Sequence, residues 1–308
     1  MQNTIKSSIR FVGVGLHSGK PVRMTLEPAS AGYGIWFQRT DLLEGDQMLP
    51  ARWDIVEQSP LCTKLVNASG VSVSTIEHIM AALAGCGVHN VLIRIDGPEV
   101  PIMDGSSAAF VKSILACGLA NQGQPIRAIQ VLKSVRVERD DAWAELHPAE
   151  NLEIDFQIDF DDEAIGVQHR VLNMANGSFV RELSNCRTFC RRADVEYMQS
   201  HGLALGGIPG ENAIVFDGAR IESGELGLRQ TDEPVRHKML DALGDLYTAG
   251  APILGRYVGH RSGHAMTNKL LRALLSDPTA YKFIECSPET AARLPGAGVR
   301  MAEMPAVA

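Results

Sequence analysis

The sequence predicts an α+β protein of two domains, with helices packed on sheets and the chemistry set between the halves. A chain of 308 residues, 45% of them hydrophobic, is long for one core and suits two domains of ordinary size. The stretch Gly118-Leu-Ala-Asn-Gln-Gly-Gln-Pro125 is the clearest polar, Gly-rich break, and such segments are where few contacts cross. The segments on either side of it repeat one order of elements: helix, strand, helix. A first domain is therefore expected at 1–120 and a second at 126–285. Residues 286–308, which turn Ala-, Pro- and Gly-rich beyond Pro288, are expected to form a loose tail.

Each element has its own signal. Ser74-Thr-Ile-Glu77 has the spacing of a capping box and opens a helix from about Thr75 to Ala84. Gly85-Cys-Gly87 ends it and leads into a strand over Val91–Ile95, the end of an apolar run from Val88, followed by a helix from about Ser106 to Cys117. In the second half, Leu152-Glu-Ile-Asp-Phe-Gln-Ile-Asp-Phe160 alternates apolar and polar residues without a break, as a half-buried strand does. A helix around His237 leads through Gly250 to a strand over Ile253–Val258 and a helix from about Gly263 to Leu275. Superposed, His78, Met80 and Gly85 fall on His237, Met239 and Gly244. Three such identities are weak evidence of duplication, but related halves would face both histidines into one cleft, where sites are commonly built.

Composition excludes several function classes. A net charge of -7 argues against general binding of nucleic acid or anionic membranes, so an anionic ligand needs a local cluster of cations. No segment approaches the roughly 18 apolar residues of a membrane span, and Met1–Phe11 lacks the apolar run of a signal peptide. A cytoplasmic protein without an integral membrane segment is expected. The six cysteines, at 62, 86, 117, 186, 190 and 286, show no CxxC spacing and are expected to be reduced and mainly structural.

The chemistry-bearing residues cluster in two helices. In His237-Lys-Met-Leu-Asp241-Ala-Leu-Gly-Asp245 an imidazole and two carboxylates stand at successive i, i+4 positions, where Cβ atoms are about 5–6 Å apart and two side chains can reach one divalent cation. Val235, Met239, Ala242, Leu243 and Leu246 take the other side, so an ordinary solvated face remains the competing reading. Glu77 is a cap residue in one reading and a base beside a metal-bound histidine in the other. His78, His237 and Asp241 together would give three ligands and an open position, the pattern of a catalytic zinc. His264, at the start of the last helix, would have its pKa lowered by the helix dipole and raised again by a carboxylate such as Asp245; a simple surface pair is the alternative.

Five stretches, Ser74-Thr-Ile-Glu-His-Ile-Met-Ala-Ala-Leu-Ala-Gly85, Val235–Asp245, Ser262-Gly-His264, Gly13-Val-Gly-Leu-His-Ser-Gly19 and Pro101-Ile-Met-Asp-Gly105, resemble the UDP-3-O-acyl-N-acetylglucosamine deacetylases. These are zinc amidases of lipid A biosynthesis in Gram-negative bacteria. The resemblance runs from about Thr4 to Phe283. It implies two domains of similar topology, each with a small insert, and an active site at their interface. It implies zinc held by His78, His237 and Asp241, Glu77 as general base, His264 paired with Asp245 as general acid, and Lys238 and Thr188 steadying the oxyanion.

For the substrate, a UDP-linked acylated glucosamine, the resemblance implies contacts from Leu61, Asp159, Phe160, Phe189, Gly207 and Arg261. The segment Met198–Val215, within an insert at about 190–216, corresponds to the part that encloses the acyl chain. A monomer in transient contact with the inner membrane is expected. Two departures stand out. Ala142 occupies a position where relatives often carry a nucleotide-holding Lys, and Cys190-Arg191-Arg192 replaces Gly and large apolar residues at the mouth of the acyl passage. Arg191 or Arg192 is therefore expected to compensate for Ala142 by contacting phosphate. A zinc amidohydrolase acting on another acetylated sugar, or a binding protein that has lost catalysis, would be the alternatives.

Overall fold

The structure, a computed structural model, describes residues 1–59, 61–225 and 227–305. The first half runs β1 (Asn3–Ile5), β2 (Ile9–Val14), β3 (Pro21–Pro28), β4 (Ile35–Arg39), β5 (Met48–Pro50), β6 (Val56–Glu57), β7 (Lys64–Val66), β8 (Ser72–Val73), α1 (Glu77–Cys86), β9 (Val91–Ile95), α2 (Ala108–Cys117) and β10 (Leu119–Asn121). The main sheet has the order β2-β3-β9-β4-β5, antiparallel except where β9 runs parallel to β4. Strands β6, β7 and β8 form a small separate sheet, an insert between β5 and α1.

The second half runs β11 (Arg127–Val131), β12 (Val135–Arg139), β13 (Ala142–Pro148), β14 (Leu152–Asp159), β15 (Val167–Asn173), α3 (Ser178–Glu182), β16 (Phe189–Arg191), α4 (Arg192–Ser200), β17 (Ile214–Asp217), β18 (Arg220–Glu222), α5 (Glu233–Tyr247), β19 (Ile253–His260), α6 (His264–Leu275), β20 (Tyr281–Glu285) and α7 (Pro288–Ala292). Its sheet contains the order β12-β13-β19-β14-β15, again antiparallel except for the parallel pair β19–β14. The duplication hinted at by the histidine helices is thus a duplication of topology. β2, β3, β4, β5 and β9 correspond to β12, β13, β14, β15 and β19, and the insert β16–β18 falls between β15 and α5 as β6–β8 falls between β5 and α1. The antiparallel pair β1–β10 likewise matches β11–β20. Among the described residues, no strand of one main sheet comes from the other half.

Local sequence explains the elements. Alternation in β14 turns Leu152, Ile154, Phe156 and Ile158 into the core. Helix α1 is apolar beyond Glu77 and His78, and all ten of its residues are buried, because it lies in the middle of the molecule against α5. That contact requires Gly244, where a Cβ would fall 2.0 Å from the Glu77 carbonyl oxygen.

Three expectations need correction. The capping box does not form: Thr75 adopts φ +58°, which turns Ser74 away to donate its hydroxyl to the Pro98 carbonyl, and the helix begins only at Glu77. The tail is not loose as far as it is described. Leu294 is buried with Ile126, Ala128 and Leu254, Glu303 pairs with Arg181 at 2.8 Å, and Gly296 packs so closely on Gly87 that a Cβ would meet its nitrogen at 2.1 Å. Its Ala-, Pro- and Gly-rich composition hid a few apolar anchors. The segment 118–125 is also tied down, through β10 pairing with β1 and through Gln122, which accepts from Asn90 and donates to the Ala29 carbonyl. All six cysteines are free thiols.

Candidate active site

Helices α1 and α5 cross at the molecular centre and bring the ligating side chains of the two halves together. His78, His237 and Asp241 each offer one ligand atom, all within 4.8 Å of one another. Asp241 Oδ1 stands 3.3 Å from His237 Nε2 and 3.7 Å from His78 Nε2. His237 donates its Nδ1 proton to the Cys186 carbonyl at 3.0 Å, which leaves the Nε2 lone pair facing inward, the orientation a metal-ligating histidine needs. Burial, followed by the neighbouring His237, pushes His78 down to about 3, and burial also lowers His237, so both rings are neutral donors.

The site's fit to a metal rests on one atom. Asp241 Oδ1 is buried and has no hydrogen-bond partner among the described residues, while Oδ2 of the same carboxylate accepts from Lys238 Nζ at 2.8 Å. An orphaned buried carboxylate oxygen is costly. A cation held between it and the two Nε2 atoms removes that cost, and the donor set of two imidazoles and a carboxylate suits a borderline divalent ion.

Proton-handling groups surround the triad. Burial pushes Glu77 up to about 7; His264 pulls it down, and Asp241 and Asp245 add to the rise. Its Oε2 accepts from the Thr63 backbone N–H at 3.0 Å, a partner in place of the expected Ser74 amide. His264 is the first residue of α6, and its Nδ1 donates to Asp245 Oδ2 at 2.9 Å. Burial and the helix start both oppose its charge, yet Asp245 and then Glu77 outweigh them and raise it to about 9. Burial also works against the Lys238 ammonium, but Asp241, with Asp245 and Glu77 behind it, holds it above its usual range.

A cavity of about 400 Å³ opens from the triad, large enough for a small-molecule ligand. Its inner end is formed by His237, Lys238, Asp241 and His264, and its outer part by residues of the second insert, including Thr188, Phe189, Val195 and Gly207. Phe189 stands edge-on to His237, Phe160 and Phe216, with centroids 6.3, 5.7 and 5.9 Å away. Thr188 is set by its backbone, which donates to Gly105 and accepts from Ile214 at 2.8 and 2.9 Å.

The family of UDP-3-O-acyl N-acetylglycosamine deacetylases matches residues 2–276. This chain belongs to that family. Among its relatives are proteins named UDP-3-O-acyl-N-acetylglucosamine deacetylase from Pasteurella multocida (strain Pm70) and Haemophilus influenzae (strain 86-028NP), each 48% identical over 285 residues and covering 92% of both chains. A protein of the same name from Shewanella violacea is 42% identical over 290 residues, 94% of both chains.

Against this deacetylase frame, the residues predicted for substrate separate into two groups. Leu61, Phe160, Phe189 and Gly207 line the cavity. Asp159 and Arg261 are not among the lining residues: Asp159 is exposed at the end of β14, and Arg261, whose amide donates to the Gln157 carbonyl at 2.9 Å, pairs through its guanidinium with Asp141. Arg191 and Arg192 do line the cavity, but they are paired with Asp162 and Glu222 respectively. Each is thus paired in the same way as Arg261, and contact with phosphate would require exchange of that carboxylate partner, which lies far off in sequence and is invisible in the local pattern.

Sequence reasoning missed several neighbours of the site. Thr63 touches both Glu77 and Asp245, and no periodicity or motif around it advertised that. His17 lines the cavity, and both of its ring nitrogens are buried without hydrogen-bond partners among the described residues. Its backbone N–H donates to Glu99 at 2.7 Å, and its place in the Gly13–Gly19 motif was the only available signal.

Proposed function

We propose that the chain removes the N-acetyl group of a UDP-3-O-(3-hydroxyacyl)-N-acetylglucosamine by zinc-dependent hydrolysis, releasing acetate, in lipid A biosynthesis. The observation that carries this reading is the orphaned Asp241 Oδ1, set beside two neutral imidazoles at the inner end of a cavity whose lining mixes apolar and charged residues. His78, His237 and Asp241 would hold the zinc, which would supply Lewis acidity for the attack of water on the acetamide carbonyl.

The remaining chemistry belongs to the protein. Glu77 takes a proton from the water as its oxygen adds to the carbonyl carbon, a role suited to a carboxylate raised to about 7. Lys238, held as an ammonium beside Asp241, and the Thr188 hydroxyl stabilise negative charge on the former carbonyl oxygen. His264, cationic through Asp245 and Glu77, protonates the sugar nitrogen as the C–N bond breaks. Water is thereby divided between acetate and a free amine. Leu61, Phe189 and Gly207 suit the acyl chain, and Phe160 offers a face to the uracil ring. Asp159 and Arg261, at the far end of β14, suit the nucleotide if Arg261 exchanges Asp141 for phosphate.

The exposed Tyr197, Leu205 and Ile208, on or beside the cavity wall, favour transient contact of a monomer with the cytoplasmic face of the inner membrane. The segment 118–125 is the boundary we assign between domains 1–120 and 126–285.

The test is acetate release from UDP-3-O-acyl-N-acetylglucosamines of several chain lengths, before and after chelation and with zinc restored. Activity that requires both the acyl chain and the metal is expected, and Glu77→Gln should retain metal while losing most turnover. Equal activity on an acetylated sugar lacking the acyl chain would overturn the substrate assignment.

A further inference from the structure

We propose that Thr63 is a positioning residue that holds the proton acceptor and the proton donor of the site in register, an inference that rests on the roles assigned above to Glu77 and His264. Thr63 is 3% exposed and precedes β7 in the first insert. Its backbone N–H donates to Glu77 Oε2 at 3.0 Å, and its hydroxyl donates to Asp245 Oδ1 at 2.5 Å. Its carbonyl accepts from the Ile76 amide at 3.3 Å, which docks the loop on the start of α1. One residue therefore touches both carboxylates that manage protons, one from each half of the molecule.

The division of oxygens gives this contact its consequence. An ionised carboxylate only accepts hydrogen bonds, so the Thr63 hydroxyl must be the donor. Asp245 gives Oδ1 to Thr63 and Oδ2 to His264 Nδ1. That fixes the plane of the carboxylate, and through it the ring orientation of His264, whose Nε2 proton is left to face the reacting groups. Glu77 likewise gives Oε2 to Thr63, which leaves Oε1 for the attacking water. Without Thr63, both carboxylates could rotate about their final torsions, which are broad and soft in the absence of a partner.

The chain that enters this insert is braced from the other half of the molecule. Arg272 of α6 donates to the carbonyls of Trp53, Asp54 and Val56 at 3.2, 3.2 and 3.0 Å, and Asn268 donates to Trp53 at 2.9 Å. The Trp53 amide in turn donates to the Thr248 carbonyl just beyond α5 at 2.8 Å. The first insert is thus strapped to the helices that carry Asp245 and His264, and its spacing to them is set independently of Thr63.

The test compares holoenzymes carrying Thr63→Val, which keeps the shape and the backbone donor but removes the hydroxyl, and Thr63→Ser, which keeps the hydroxyl. A hydrogen bond to a charged group contributes enough to predict a fall in kcat of about 10- to 100-fold for Thr63→Val, with KM and zinc content close to wild type, a Tm lowered by the unsatisfied Asp245 oxygen, and both kcat and Tm largely restored in Thr63→Ser. Adding Thr63→Val to Asp245→Ala should cost little more than Asp245→Ala alone, because the hydroxyl acts through that carboxylate. A kcat for Thr63→Val within about twofold of wild type, an equal loss in Thr63→Ser, or fully multiplicative losses in the double variant would each overturn the proposal. If wild type fails to deacetylate the acylated substrate, the assigned function falls, and the Nδ1 proton resonance of His264 decides the positioning role separately. It should move between wild type and Thr63→Val, and an unchanged resonance would refute the link.

Discussion

Gly244 is where the geometry of the centre is most exposed to a small perturbation. A Cβ at this position would lie 2.0 Å from the Glu77 carbonyl oxygen, 2.9 Å from its carbonyl carbon and 3.0 Å from the Ala81 nitrogen. All three atoms are backbone, so no rotamer relieves the overlap in Gly244→Ala. Non-bonded contacts settle near 3.5 Å, and α1 and α5 must therefore part by about 1 to 1.5 Å. His78 leaves α1 immediately beside the contact, and Asp241 leaves α5 one turn before it. Metal sites tolerate ligand displacements of about 0.2 Å, several times less than the forced shift. We expect overpacking to cost about 1–3 kcal/mol of stability and misplacement of this size to lower turnover on the order of 100-fold, with metal lost on dialysis against a chelator. Gly85→Ala is the matched control. Its Cβ would fall 1.9 Å from Cδ1 of the buried Phe179 ring, a core clash on another face of α1 that should cost stability and spare the metal. Elemental analysis after dialysis, denaturant unfolding and kcat make the comparison. If Gly244→Ala retains metal and turns over like wild type, the helix contact does not set the site.

Other perturbations follow from the charges. With Glu77 and His264 in the roles proposed for them, catalysis would require Glu77 ionised and His264 protonated, so kcat/KM should rise through a group near 7 and fall through one near 9, with a bound dication drawing both limbs to lower pH. Asp245→Asn, which removes the first of the charges holding the imidazolium, should move the alkaline limb further down; an unmoved limb would detach His264 from it. Arg187 bonds both oxygens of the fully buried Glu233, at 3.0 and 3.2 Å. Arg187→Ala strands that carboxylate and should cost about 3–5 kcal/mol in urea unfolding, much of it recovered by adding Glu233→Gln. Recovery of nothing would mean that packing of the Arg187 stem, rather than the unpaired charge, sets the cost.

Much of the fold was legible because its signals are local. The alternation in Leu152–Phe160 predicted β14 to within a residue, and the helix predicted from about Gly263 to Leu275 begins at His264 and ends at Leu275. The helix around His237 was likewise visible, and its i, i+4 spacing already placed His237 and Asp241 side by side. Its polar stripe was ambiguous, since an amphipathic face looks the same whether it meets water or another helix. In the structure His237, Asp241 and Asp245 are buried, and the stripe meets the inner end of the cavity through His237, Lys238 and Asp241.

Where the sequence misled, a distant partner had replaced the local one. Glu77 has a capping-box spacing but receives its bond from Thr63, and Arg191 and Arg192 look like free cations but meet Asp162 and Glu222. The tail looked unstructured until Leu294 met Ile126 and Leu254. By itself the sequence determined the periodic elements, the duplicated helix signature and the chemical types available to the site, because helix and strand geometry depends on neighbours a few residues away. Only the tertiary structure decided that His78 meets His237, that Asp241 Oδ1 is left without a partner and that Thr63 spans two carboxylates. Those contacts depend on how closely two glycine-relieved helices and a strapped insert pack, and chain spacing carries no record of that distance.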